Sequence, residues 1–214
     1  MVAPKLIALD ASTARAAVVN AGAILVTTGV GAIFLLALSL LVDSNEEKAG
    51  FFAAYSIYGF FVIFGLSTRT SLVPLLGSTL DEKVFRNRSM QAVAEIVPIA
   101  AVICALMIAS APLFGMIYLN TASDATQLVA TVSLAILGFS AFFQFYGATL
   151  GAVLTGARRM QSVGVITGAG AVVGILAAGC LAAGFGIYGA SIGIALGSIV
   201  TMLGFRSYMS RLDF

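Results

Sequence analysis

Six long apolar stretches, separated by short polar loops whose positive charges gather on alternate sides, limit the fold of this chain more than anything else in it. The stretches cover residues 16–42, 50–76, 89–118, 126–154, 163–184 and 186–205. A helix needs roughly 20 apolar residues to cross the hydrocarbon core of a bilayer, and each stretch supplies that length. The runs are continuous, without two-residue alternation, which predicts helices rather than strands of a barrel. Only 9% of the residues are charged, against about 25% in a soluble domain, so polar side chains are too few to cover a water-facing surface. The expected fold is all-α: a single transmembrane domain over residues 1–214, a bundle of six spanning helices, with no soluble domain.

The loops orient the bundle. Lys5 and Arg15 precede the first helix, and the loop from Asp43 to Lys48 is net negative. Lys83, Arg86 and Arg88 occupy the second loop, Arg158 and Arg159 the fourth, and Arg206 and Arg211 the C-terminal segment. The third and fifth loops carry no positive charge. Of the 11 Lys and Arg residues only Lys48 falls on the other side, which predicts that both termini are cytoplasmic. The first apolar run is too long for a signal-peptide core and lacks a small-residue cleavage site, so no cleavable signal is expected. The net charge of +2 follows from this topology and gives no reason to expect a nucleic-acid partner.

Chemistry-bearing motifs are scarce. The chain has no His, which removes His-dependent nucleophilic catalysis and imidazole metal sites. It has no phosphate-binding loop of the Walker type and no paired carboxylates, and the run Gly168-Ala169-Gly170-Ala171-Val172-Val173-Gly174 has the wrong spacing for a dinucleotide fingerprint. Neither enzymatic activity nor a cofactor or metal is expected. Cys104 and Cys180 both fall inside apolar runs and read as packing residues. The sequon Asn87-Arg88-Ser89 lies on the expected cytoplasmic side. Glycines at 147 and 151, at 170 and 174, and at 189, 193 and 197 have the four-residue spacing that lets membrane helices approach closely. Such faces serve static packing or a sliding motion, and the sequence alone leaves both open.

Ionisable groups within membrane spans are expensive and mark candidate functional positions. Arg69 lies ~10 Å from the cytoplasmic end of helix two, and Glu95 ~9 Å inside helix three from the same side, at 1.5 Å per residue. The two are expected to face the bundle interior at similar depth and to pair. Snorkelling to the headgroups is the other reading for Arg69. Pro74 and Pro98 lie nearby and can kink these helices. Asn20 in helix one and Gln144 in helix four are weaker substrate-binding candidates, since a lone amide often only bonds a neighbouring helix. Tyr55, Tyr58 and Tyr118 are expected in the outer aromatic belt.

Three segments carry a family resemblance. Gly50-Phe51-Phe52-Ala53-Ala54-Tyr55, followed by Gly65-Leu66-Ser67-Thr68-Arg69, resembles the second helix of polysaccharide flippases. Gly151-Ala152-Val153-Leu154-Thr155-Gly156-Ala157-Arg158-Arg159 is similar to the end of their fourth helix and its basic turn, and Gly186-Ile187-Tyr188-Gly189-Ala190-Ser191-Ile192-Gly193 to the start of their sixth. The chain thus resembles the multidrug/oligosaccharidyl-lipid/polysaccharide exporter superfamily, in particular the N-terminal six-helix lobe of a flippase for lipid-linked oligosaccharides. That resemblance implies alternating access around a cavity between two lobes, of which this chain supplies one. A homo-oligomer or a second six-helix lobe is therefore expected as partner.

The resemblance also implies roles. Arg69 matches the place of a cavity arginine that contacts the pyrophosphate of a lipid carrier, a task suited to its planar, permanently charged fork. Glu95 would be a coupling carboxylate or the counter-ion of Arg69. The expected function is translocation of a polyprenyl-linked saccharide precursor across the bacterial cytoplasmic membrane. The alternatives are cation-coupled export of an amphipathic small molecule, and a non-transporting scaffold in a polysaccharide-synthesis complex.

Overall fold

The computed structural model describes residues 18, 21–22, 29, 31–40, 42–78 and 81–211. The described chain comprises a short apolar helix α1 (Gly31–Leu40) and four longer helices. These are α2 (Asn45–Gly77), α3 (Glu82–Tyr118), α4 (Asp124–Gly156) and α5 (Met160–Ser210). All four long helices have the length and apolarity to cross a membrane, so the chain is a multi-pass membrane protein whose outer faces meet lipid. Much of the N-terminal half of the expected first helix, including Asn20, and Arg15 before it lie outside the described residues.

Capping residues, rather than the onset of hydrophobicity, decide where the helices begin. The Ser44 side chain accepts from the Glu47 amide at 3.3 Å, Asp81 from Val84 at 3.0 Å and Ser123 from Thr126 at 3.3 Å. Each satisfies one of the orphan donors of a first turn. Acidic residues follow at Glu46, Glu47, Glu82 and Asp124, where the helix dipole favours them. The polar stretches 45–49 and 82–88, read as loops from hydropathy, are consequently helical.

The centre of the bundle is α4. α2, α3 and α5 all pack against it, while α2 and α3, neighbours in sequence, scarcely touch. Half of the most apolar window of α4 is buried, against 17% for that of α3. One cluster joins Tyr58 of α2, Cys104 and Met107 of α3, and Leu134 and Leu137 of α4. A second gathers Phe34 and Leu38 of α1, Phe51 of α2, Val129 of α4, and Ala178 and Ile187 of α5. The third sets Leu150 and Leu154 of α4 against Val163, Met202 and Phe205 of α5.

The 51 residues of α5 do not form one rod. Gly186 has φ 56° and ψ −140°, a conformation open to glycine and strained for residues with a Cβ. There the chain turns back, so that residues 160–185 and 187–210 pair as an antiparallel hairpin. Gly189 meets Leu181, Gly193 meets Ala178, Gly197 meets Gly174, and Thr201 meets Gly170. The two glycine faces singled out in sequence are thus each other's partners. A Cβ on Gly197 would stand 2.6 Å from the Cα of Gly174, leaving no room for even a methyl group. Backbone approach of this kind lets dispersion hold helices together in lipid, where hydrophobicity offers no drive.

Gly197→Val is expected to destabilise the protein by about 1–3 kcal/mol, as overpacking of a tight core does. A Cβ on Gly179 meets nothing within 4 Å, so Gly179→Ala is expected to be neutral or stabilising by up to about 1 kcal/mol through helix propensity. Denaturation of the purified protein in detergent compares the two; equal stability of parent and Gly197→Val would contradict the close hairpin.

Candidate functional site

Arg69 sits in the most polar stretch of α2, Ser67-Thr68-Arg69-Thr70-Ser71. The neighbouring hydroxyls are satisfied within the helix: Thr68 donates to the Phe64 carbonyl at 3.0 Å, and Thr70 and Ser71 donate to that of Ser67 at 2.9 Å. Hydroxyl groups bonded back to their own helix cost little in a membrane span. Arg69 is half-buried and reaches across to α4. Its Nε lies 3.8 Å from the point where a side chain at Gly151 would begin, and the Phe205 ring lies 3.5 Å from that same point. The missing side chain at 151 therefore makes the space in which the arginine stem and the Phe205 ring of α5 meet over α4.

Glu95 lies elsewhere. It is exposed on α3, where its Oε1 accepts from Gln91 Nε2 at 2.7 Å. The expected interior-facing Arg69–Glu95 pair is corrected by the packing. α2 and α3 are antiparallel neighbours in sequence, but each packs on α4 rather than on the other, so equal depth does not become contact. Glu95 is held by an amide one turn away, and Arg69 lies at the α2–α4–α5 junction.

Gln144 belongs to a buried polar cluster. Its Nε2 donates to the Tyr58 hydroxyl at 3.4 Å and to Ser198 Oγ at 3.2 Å. Ser140 Oγ lies 3.1 Å from the Tyr58 hydroxyl and 2.8 Å from Ser198 Oγ. One residue of α2, two of α4 and one of α5 thus share a connected set of hydrogen bonds at mid-span. Ser198 also donates to the Ile194 carbonyl at 3.2 Å. The Gln144 amide is engaged in holding helices together. Asn20, the remaining substrate-binding candidate, lies outside the described residues.

Tyr58 is the residue that sequence reasoning misplaced. It is 4% exposed and forms an interior anchor instead of joining the belt, whereas Tyr118 is 75% exposed at the end of α3. The signal was present in α4: Ser140 and Gln144 are four residues apart and so share one helix face. Neither Cys104, buried on α3, nor Cys180, exposed on α5, is in a disulfide.

No family model matches the sequence, and none of the curated proteins matches it. Among solved structures, the chain is similar to the lipid II flippase MurJ in an inward closed conformation. The fold is MurJ-like. The TM-score is 0.60 at 23% sequence identity, over 86% of this chain. The match covers 40% of the length of that flippase, so this chain corresponds to part of it. The resemblance read from the helix-two, helix-four and helix-six segments and the structural similarity both point to a flippase-type fold.

The polar cluster separates two serines on one face of α4. Ser140→Ala removes the link between Tyr58 and Ser198 and is expected to lower stability by about 0.6 kcal/mol, at most about 1.7, the range for hydrogen bonds between membrane helices. Ser133 Oγ is buried without a hydrogen-bond partner among the described residues, so Ser133→Ala is expected to be neutral or stabilising. The opposite order of stabilities in detergent denaturation would contradict the cluster.

Proposed function

We propose that this chain is one lobe of a flippase-type transporter that moves a polyprenyl-linked saccharide precursor across the bacterial cytoplasmic membrane. The observation that carries the reading is Arg69, an arginine inside the membrane span of a MurJ-like fold, reaching over Gly151 at the junction of three helices. A guanidinium there supplies a fixed fork for a phosphate. Low surrounding dielectric strengthens that attraction relative to water.

The fold suits alternating access. Gly147 and Gly151 of α4 face Met202 and Phe205 of α5, and Ser140 joins Tyr58 and Ser198, so small and polar residues lie among the larger apolar side chains of these seams. Because the chain spans 40% of MurJ, a second copy or another six-helix lobe would form the opposite wall of the transport path. The charge asymmetry of the loops favours cytoplasmic termini and orients Arg69 toward the leaflet in which lipid-linked precursors are built.

Transbilayer movement of a fluorescent polyprenyl-diphosphate oligosaccharide in proteoliposomes tests the proposal. The parent chain is expected to flip the lipid and Arg69→Ala to lose flipping while remaining membrane-inserted. Arg69→Lys should retain part of the activity, because it keeps the charge but not the bidentate geometry. Glu95→Gln should leave flipping intact. Full activity of Arg69→Ala would remove the residue from the path.

A further inference from the structure

α3 is anchored at two places and exposed between them. Its membrane arm is fixed by Ala100, Cys104, Met107, Ala111 and Gly115, all buried. Toward the cytoplasmic end the next buried residues are Ser89 and Phe85, and none of residues 90–99 is buried. Pro98 lies in that unsupported stretch. A proline has no amide hydrogen, so the Ala94 carbonyl lacks its helical donor and the helix bends more easily there. Pro112, by contrast, falls between buried Ala111 and Gly115. Beside the unsupported stretch α2 and α3 leave an apolar groove lined by Phe61, Phe64, Ile96 and Ile99, so α2 does not brace it.

The inner arm of α3, residues 82–97, is docked by a small cluster of its own. Phe85, together with Leu76 from the last turn of α2, packs on Val153 of α4. Gly156 makes room for both: a Cβ there would stand 3.0 Å from that of Leu76 and 3.2 Å from the Phe85 ring. The docked arm also traps a hydroxyl. Ser89 is 2% exposed, and its Oγ has no hydrogen-bond partner among the described residues. Burying an unsatisfied hydroxyl is costly, and water satisfies it on release. Segments held by few buried contacts open at lower free energy than the core. Pro74 precedes Leu76 in α2, so the last turn of α2 can follow the arm.

We infer that residues 82–97 are a hinged arm that swings away from α4 as a helix about Pro98, with Phe85 and Leu76 as its latch. The swing opens the cytoplasmic end of the groove between α2 and α3. It also frees the end of α2, two turns beyond Arg69. The motion belongs to the lobe itself, and the assignment stands apart from the flippase reading.

Ser89→Cys, in a background carrying Cys104→Ala and Cys180→Ala, reports the swing, because a water-soluble maleimide reaches that position only when the arm leaves α4. Thr149→Cys, at a fully buried position toward the same end of α4, is the control. With the full chain in lipid nanodiscs, Ser89→Cys is expected to react at least about tenfold faster than Thr149→Cys, equivalent to about 1.4 kcal/mol in opening free energy. Pro98→Ala restores the helical donor and is expected to slow labelling at 89 by about fivefold, the worth of one hydrogen bond. Phe85→Ala removes the latch and is expected to speed it by more than about tenfold. Hydrogen exchange separates a swing from unfolding: the amides of residues 86–93 should stay protected while the thiol reacts. Equal labelling at 89 and 149 overturns the proposal. So does labelling that ignores Pro98→Ala, and so does exchange of those amides with the opening constant of the thiol, which would mean that the arm unfolds.

Discussion

Everything in this lobe depends on α4 being able to accept three neighbours at once. In lipid an apolar side chain gains nothing by leaving the tails for a helix interface, so close contact must come from small residues and hydrogen bonds. α4 meets that requirement with different residues on different faces. Ser140 and Gln144 bond α2 and α5, Gly147 and Gly151 admit Met202 and Phe205, and Gly138 accepts Met107 and Ile108 of α3. A bulky residue at any of these positions would push one partner away and leave the other two unbraced. The groove between α2 and α3 follows from the same arrangement, since two helices packed on the same third one need not touch.

The polar cluster at mid-span and the glycine hairpin divide the work of specification. Backbone-to-backbone packing between the arms of α5 fixes distance but carries little information about register, because one small residue resembles another. The hydrogen bonds among Tyr58, Ser140, Gln144 and Ser198 supply register, for a slip of one residue would strand polar groups in hydrocarbon, where each unsatisfied group costs several kcal/mol. On the α4–α5 seam two contacts lie seven residues apart on both helices: Ser140 meets Ser198, and Gly147 meets Phe205. The seven-residue interval is that of a coiled-coil seam, with serine and glycine at those positions of α4.

How much of this was legible in the sequence depends on what each residue reports. Length and hydropathy report spans directly, and the spans after the first correspond to α2, α3, α4 and the two arms of α5. The break between the fifth and sixth apolar stretches coincides with Gly186, whose backbone angles only glycine adopts without strain. Partnership was not readable. The glycines at 170 and 174 and those at 189, 193 and 197 were recognisable as packing faces, yet nothing in their spacing says that they face each other. Arg69 and Glu95 show the same limit more sharply. Their shared depth follows from counting residues along two antiparallel helices, whereas their separation follows from α4, which counting cannot include. Tyr58 was misread because tyrosine is common at bilayer interfaces and its hydrogen-bonding partners are 82 and 86 residues away.

The separation of the two charges bears on how the bundle is held together. Had Arg69 and Glu95 met at about 4 Å, their attraction would approach 4 kcal/mol at an effective dielectric of 20, enough to hold α2 against α3. That lock is absent, and the arginine is directed instead over Gly151 toward the α5 side of the lobe, while the carboxylate is held by Gln91 on the α3 side. The helix that keeps the two charges apart is the same α4 on which the rest of the bundle is assembled.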